Sequence, residues 1–182
     1  MNRLVFQIPA LLLVLTASVA NAATATFRFG GEDFVQKFEV KGRAPNAQIE
    51  FGLTNETLQG WTKLVMLHSF TTNGNNAPRA AAVLANLIRE RHKGSKYEVI
   101  TNAKTGEAII DFLIPVPKSE QLEFNVFKYT PAGNELVAFQ FAQRVTLGEV
   151  DAEELSKIRQ SVLKEIGSYD MAPVKAFFGK GQ

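Results

Sequence analysis

The chain has no cysteine among its 182 residues. This absence excludes disulfide scaffolds, thiol nucleophiles, cysteine-ligated zinc and iron–sulfur clusters. An excess of charge of one sign is also missing, because 20 Lys and Arg residues stand against 18 Asp and Glu residues. Proteins that bind nucleic acid usually carry a clustered basic face. The composition therefore argues against nucleic acid as a partner.

Histidine is scarce, and the spacings that metal sites use are lacking. The only histidines are His68 and His92, which fall in different predicted elements. Neither belongs to an H-x-x-x-H motif, and the chain has no D-x-D-x-D-G loop. Metal sites need several ligands at such spacings. We therefore expect no metal and no cofactor.

Apolar residues are present in the proportion of an ordinary globular protein. They make up 46% of the chain and include 14 Phe residues. Such a composition supports a packed core and argues against intrinsic disorder. The length suits one domain.

The first 22 residues have the layout of a secretory signal. Arg3 precedes an apolar run over residues 4–15, and small residues follow up to the cleavage motif Ala20-Asn21-Ala22. A membrane-spanning helix needs about 20 apolar residues, and this run is shorter. We expect cleavage and export, and the lack of cysteine favours a bacterial periplasm. The predicted organisation is a signal peptide over 1–22, one domain over 23–169 and a C-terminal tail over 170–182.

Hydrophobic periodicity predicts most of the strands. Residues 48–53 alternate polar and apolar, whereas residues 63–70 are apolar on both faces, as in a central strand. Two hairpins follow, with turns at 102–106 and 130–134. The Phe-rich segment 26–45 suggests further short strands of uncertain pairing.

Two segments have helical periodicity. Pro78 stands at the start of the first, which ends at Gly94. One side of this helix carries Ala81, Leu84, Leu87, Ile88 and Arg91. Asp151 is placed to cap the second, which ends at Gly167. The predicted fold is α+β, with an antiparallel sheet of about six strands and two main helices packed on it. The tail after Tyr169 is expected to be loose.

Residues 78–168 resemble the Mog1/PsbP-like fold group. The resemblance lies in the helix 78–93, the hairpin through 104–107, the strand 122–129, the turn 132–134 with Leu136-Val137 behind it, and the helix 151–167. That group includes photosystem-associated lumenal proteins and a nuclear transport factor. The resemblance implies a sandwich fold and a binding or assembly role. It carries over no functional residue, because no motif stands at matching positions.

A catalytic site can be assembled on paper but lacks supporting motifs. His68, Ser69 or Ser95, and Asp111 could compose a triad, yet no G-x-S-x-G elbow surrounds either serine. His68 and Ser69 are also adjacent in a strand, so they point to opposite faces. Glu50 and Asp111 remain a possible carboxylate pair, since sequence does not give their separation. We expect His68 to be a core or rim histidine.

Binding residues are the better candidates. Trp61 could form the lip of a groove or seal the sheet edge. The basic helix end around Arg89, Arg91 and His92 could meet an acidic partner or phosphate headgroups, or be a solvated cap. Phe177 and Phe178 could fold back on the sheet or dock elsewhere.

The sequence therefore predicts an exported, soluble, non-enzymatic protein for binding or envelope assembly. Its partner would be an unknown protein or small molecule, and the chain would be a monomer or weak oligomer. No transmembrane segment is expected after cleavage. The alternative is an exported hydrolase, or an inhibitor of one, with a cleft near Trp61.

Overall fold

The computed structural model describes residues 25–40, 46–71 and 74–179. The strands are β1 (Thr26–Phe29), β2 (Glu32–Val40), β3 (Asn46–Leu53), β4 (Lys63–Phe70), β5 (Lys96–Asn102), β6 (Glu107–Pro115), β7 (Gln121–Ala132) and β8 (Glu135–Thr146). The helices are α1 (Ala77–Arg91), α2 (Ala152–Ser168) and α3 (Ala172–Phe177). The predicted signal segment lies outside the described residues. Among the residues that the structure describes, no helix is long and apolar enough to cross a membrane.

All the described strands belong to one antiparallel sheet in the order β1-β2-β3-β4-β8-β7-β6-β5. The predicted α+β class with two main helices is confirmed, but the expected number of about six strands is wrong, because the described residues form eight. The difference arises in the Phe-rich N-terminal segment. Phe27 pairs with Phe34, and Phe34 pairs with Leu53, so β1 and β2 extend the sheet beyond β3.

The second predicted hairpin is tighter than expected. Strand β7 continues to Ala132, and only Gly133 and Asn134 remain for the turn. Gly133 has a φ of 63°, a conformation that glycine adopts without steric cost. Pro131 is tolerated in the strand because the pairing of β6 with β7 extends only to Tyr129.

The sheet has two covered faces, which we name after their helices. The α2 face carries side chains such as Val65, Val126 and Phe139, and the α1 face carries Ile110 and Ala138. Strand β4 is buried on both faces, as its sequence predicts.

Helix α1 packs through small residues. Its cap is Asn76, whose side chain accepts a hydrogen bond from the backbone N–H of Arg79 at 2.9 Å. The buried stripe consists of Ala77, Ala81, Ala85 and Ile88. The predicted stripe was therefore partly wrong, because Leu87 is 38% exposed. Alanines at the contact let the helix approach the sheet closely, which leaves the larger leucine at the side.

Helix α2 is capped as predicted, since Asp151 accepts a hydrogen bond from the Glu154 N–H at 2.8 Å. Burial increases along the helix. Leu155 is only partly buried, whereas Ile166 near the C-terminus is fully buried. The helix thus packs on the sheet through its C-terminal half, and its N-terminal half stands further away.

The sheet curls over its α2 face. Strands β1 and β8 are separated by three strands in the sheet, yet the rings of Phe29 and Phe139 lie only 4.9 Å apart. The curl is fastened to α2, because the Gly30 N–H donates a hydrogen bond to Glu165 Oε1 at 2.6 Å. An edge strand can reach the middle of the sheet only if the sheet bends.

Where the sequence predicts a loose tail, the structure has helix α3. Val174 is fully buried, and Met171 just before the helix is also buried. Both belong to the main core cluster under α2. The segment therefore completes the cover of the α2 face.

A buried lysine holds the C-terminal end of α2 on the sheet. Lys128 Nζ donates hydrogen bonds to the carbonyl oxygens of Gly167 at 3.1 Å and Tyr169 at 2.9 Å. It also lies 3.7 Å from the Glu107 carboxylate. A cation at a helix C-terminus is favourable because it meets unpaired carbonyl groups and the negative end of the helix dipole.

We predict that Lys128→Met lowers the free energy of unfolding by about 2–4 kcal/mol, because it removes the donor and leaves a carboxylate and two carbonyls without it. Denaturant unfolding followed by circular dichroism measures the change. The control is Lys157→Met, which removes an exposed lysine paired with Glu153 and should cost about 0.5 kcal/mol or less. Equal losses in the two variants would contradict this role for Lys128.

Candidate functional site

A groove of about 730 Å³ opens between the N-terminal half of α2 and strands β5, β6 and β7. It lies where α2 stands away from the sheet. Its apolar lining includes Leu113, Leu122, Phe124 and Leu155. Small-molecule sites are typically concave, mostly apolar and about 300–1,000 Å³ in volume. The groove has these properties, so it is the first candidate site.

An ion cluster borders the groove. Arg159 binds Asp111 through two hydrogen bonds, Nε to Oδ1 at 2.7 Å and Nη2 to Oδ2 at 2.8 Å, and its Nη2 also binds Glu98. The hydrogen bond to Asp111 raises the pKa of Arg159 above its usual range. This bidentate geometry fixes the guanidinium rigidly. Both carboxylates are therefore engaged in holding Arg159.

Two lysines at the rim of the groove have no carboxylate partner among the described residues. Lys93 and Lys96 both line the groove, and neither forms an ion pair with any residue that the structure describes. Lys96 is paired with Leu113 across β5 and β6, so both side chains leave the sheet on the α2 face. The rim is positively charged beside an apolar floor.

The predicted basic residues Arg89, Arg91 and His92 lie at the end of α1, outside the groove lining. Arg89 donates to Asn86 Oδ1 at 2.9 Å on the exposed surface. His92 forms the helix C-cap, and its backbone N–H donates to the Ile88 carbonyl at 2.8 Å. Of the basic cluster around them, only Lys93 and Lys96 reach the groove.

A chain of polar side chains runs across the α1 face. His68 Nε2 lies 2.8 Å from Gln140 Oε1, Gln140 Nε2 donates to Asn125 Oδ1 at 2.8 Å, and Asn125 Nδ2 donates to Glu123 Oε1 at 3.0 Å. Because Gln140 uses its amino group for Asn125, its oxygen accepts from His68. The proton of His68 therefore sits on Nε2. We call these four residues the polar chain.

The polar chain continues to Trp61. Glu123 Oε2 lies 3.7 Å from Arg144 Nε, and the Arg144 guanidinium stands 3.8 Å from the centre of the Trp61 ring. Such cation–π contacts are favourable by about 0.5–2 kcal/mol. The structure thus places two predicted residues, Trp61 and His68, at the two ends of one network. Trp61 is buried in it and forms no lip of the groove.

His68 is held as a neutral ring. Its imidazole stacks against both Phe70 and Phe127, with ring centres 5.7 Å and 5.6 Å away. Burial lowers the pKa of His68 to about 4, although the hydrogen bond to Gln140 opposes the shift. The ring is therefore uncharged at neutral pH, and its role is to terminate the polar chain.

The catalytic sets considered from sequence do not assemble. Asp111 lies on the α2 face with Arg159, whereas His68 lies on the α1 face. Ser69 points away from His68, as strand geometry requires. Glu50 is likewise on the α1 face, beside Met66, so it cannot act with Asp111 on one bond.

The two tail phenylalanines lie against the core cluster under α2. Phe177 is 40% exposed and meets Phe51 edge to face, with ring centres 5.8 Å apart. Phe178 is partly buried against the same cluster. Neither residue lines the groove.

Residues 22–171 match a protein-family model. The chain belongs to that family. The family is uncharacterised, so membership assigns no activity to the groove or to the polar chain. No curated protein matches the chain. Within the described ranges, no group of three or more His, Asp or Glu side chains could hold a metal ion.

Sequence reasoning missed the residues that organise both sites. Gln140 lies in the apolar run of β8, and Asn125 alternates with the core residues Phe124 and Val126 in β7. A polar residue inside a predicted central strand is the signal that could have identified them, since buried polar groups need partners. Arg159 carries no such signal, because it stands among polar residues on a helix.

We predict that His68 makes the fold sensitive to mild acid. Below about pH 6.5 the unfolded chain binds a proton at His68, whereas the native protein does so only near pH 4. The free energy of unfolding should therefore fall between these values by up to about 3 kcal/mol through this residue. In His68→Gln, which keeps a donor for Gln140, the decline from pH 7 to pH 4 should be smaller by about 2–3 kcal/mol.

Denaturant titrations at a series of pH values measure this difference. His92→Gln is the matched control, and it should retain the wild-type decline because His68 is intact. Parallel pH profiles for wild type and His68→Gln would show that His68 does not contribute.

Proposed function

We propose that the protein is an exported, non-enzymatic binding protein whose ligand occupies the groove beside α2. The observation that carries the proposal is the groove itself, with its volume of about 730 Å³ and an apolar floor that includes Leu113 and Phe124. A ligand seated there would bury apolar surface at about 25 cal/mol per Å². The binding role implied by the Mog1/PsbP-like resemblance agrees with this proposal, and the resemblance itself stays a prediction.

Binding without catalysis is supported by how the polar groups of the groove are used. Arg159 is held by two carboxylates, so neither Asp111 nor Glu98 is available as a general base. Ser156 accepts a hydrogen bond from Gln160, and no histidine is found among the described lining residues to activate it.

Export is supported by the N-terminal sequence. Residues 1–22 have the three parts of a secretory signal, and the family match begins at residue 22, next to the predicted cleavage site. We propose that the working protein is periplasmic and begins at Ala23.

We predict that expression of the full chain in a Gram-negative host yields periplasmic protein with Ala23 at its N-terminus. The measurement is N-terminal sequencing of the periplasmic fraction. A chain lacking residues 2–22 serves as the control and should stay in the cytoplasm. Full-length protein that keeps Met1 in the cytoplasmic fraction would contradict export.

We also predict that a neutral apolar fluorophore, N-phenylnaphthylamine, binds the groove. Leu155→Trp fills the space between α2 and the sheet floor, so it should weaken binding by about tenfold or more. Fluorescence titration measures the dissociation constant.

The matched control introduces the same residue elsewhere. Val83 lies on α1, is 52% exposed and does not line the groove, so Val83→Trp should bind the fluorophore like wild type. Circular dichroism checks that both variants are folded. Equal affinity in Leu155→Trp and wild type would remove the groove as the binding site.

A further inference from the structure

We infer that the groove takes a single-chain anionic amphiphile, with its hydrocarbon chain on the apolar floor and its head group between Lys93 and Lys96. The inference rests on the proposed function, because it names the class of ligand for the same groove. It is carried by the position of two lysines that have no ion-pair partner among the described residues and lie beside an apolar cavity.

The apolar residues of the sheet and of α2 that line the groove indicate the chemistry of the ligand's apolar part. Leu113 and Phe124 are cross-strand neighbours on β6 and β7, and Leu122 is paired with Pro115 at the same end. Leu155 of α2 lies opposite them across the groove. A flexible hydrocarbon chain matches such an elongated surface, since burial of each CH₂ group contributes about 0.8 kcal/mol.

The charge of the head group follows from which side chains are already paired. Among the lining residues, Asp111 and Glu98 are both engaged by Arg159, which offsets one of their two negative charges. With Lys93 and Lys96 included, the charged lining residues carry three positive charges against two negative ones. Lys93 and Lys96 have no acidic partner among the described residues. A cationic head would meet these lysines and be repelled, whereas a carboxylate would complete two ion pairs.

The strand register places the lysine that would bind the head group next to the apolar floor that would bind the hydrocarbon chain. Lys96 is directly opposite Leu113, and Glu98 is directly opposite Asp111. Directly opposite side chains on an antiparallel pair have Cβ atoms about 5 Å apart. A head group held by Lys96 therefore begins at the edge of the apolar floor.

The test uses three amphiphiles that share one hydrocarbon chain, namely decanoate, decanol and decyltrimethylammonium. Each is titrated as a monomer against protein loaded with N-phenylnaphthylamine, and displacement gives its affinity. Decanoate should bind about tenfold more tightly than decanol, and decyltrimethylammonium more weakly than either. The preference for decanoate should decrease as salt is added, because the lysines are exposed.

The variant Lys93→Gln/Lys96→Gln should bind decanoate and decanol within about twofold of each other. Its control is Lys157→Gln/Lys164→Gln, which makes the same change of charge on α2 at exposed positions outside the groove lining. This control should keep the wild-type preference.

The outcomes separate the inference from the proposed function. Suppose that Leu155→Trp weakens the binding of all three amphiphiles, but that wild-type protein binds decanoate and decanol with equal affinity. The groove is then a binding site, and the anionic class of ligand is wrong. If none of the three displaces a fluorophore whose binding Leu155→Trp weakens, the inference fails and the groove remains a site. If Leu155→Trp leaves the affinity for the fluorophore unchanged, both fail. Sedimentation with phosphatidylglycerol vesicles is the last arm. If the protein binds these vesicles but decanoate does not displace the fluorophore, the inference is wrong and the lysines instead contact a membrane surface.

Discussion

The contact between the edge strand β1 and the centre of the sheet is the interaction on which the fold depends. Phe139 is fully buried, and its ring lies within about 5.4 Å of those of Phe27, Phe29 and Tyr169. Each such aromatic pair contributes about 0.5–1.5 kcal/mol beyond the burial of its surface. A chain without cysteine has no covalent restraint to hold this curl, so ring packing must do so. The high number of Phe residues is thus explained first by stability.

The curl determines where the groove forms. Rings from β1, together with Tyr169, fill the α2 face near β8, so the C-terminal half of α2 packs there and Ile166 is fully buried. A straight helix cannot also follow a twisted sheet to its far edge. Its N-terminal half therefore stands away from β5 and β6, and Arg159 spans the gap by reaching Asp111 and Glu98. The groove results from a helix and a curved sheet that match over only half their length.

Local patterns were sufficient to predict most of the elements, and non-local contacts explain the ones that were missed. The alternation in β3, the doubly buried β4 and the Asp151 cap all depend on near neighbours in sequence, and all are confirmed. The pairing of β1 with β2 and the helix α3 depend on a surface supplied by distant residues such as Phe139 and Phe51. The contact of Arg159 with Asp111 joins residues 48 positions apart, and no spacing rule reveals such a pair.

The polar chain and the groove lie on opposite faces of one sheet, so each is interpreted by its own residues. His68, Gln140, Asn125 and Trp61 belong to a network in which they are buried and in contact with neighbouring members, so these four residues offer little to a ligand. Buried polar networks of this kind contribute to a unique packing, because every unpaired member would carry a large desolvation cost. The groove has the opposite character, with open apolar surface and two rim lysines that form no ion pair within the described part of the chain. A ligand gains free energy only where the protein has not already satisfied its own groups, and that condition favours the groove.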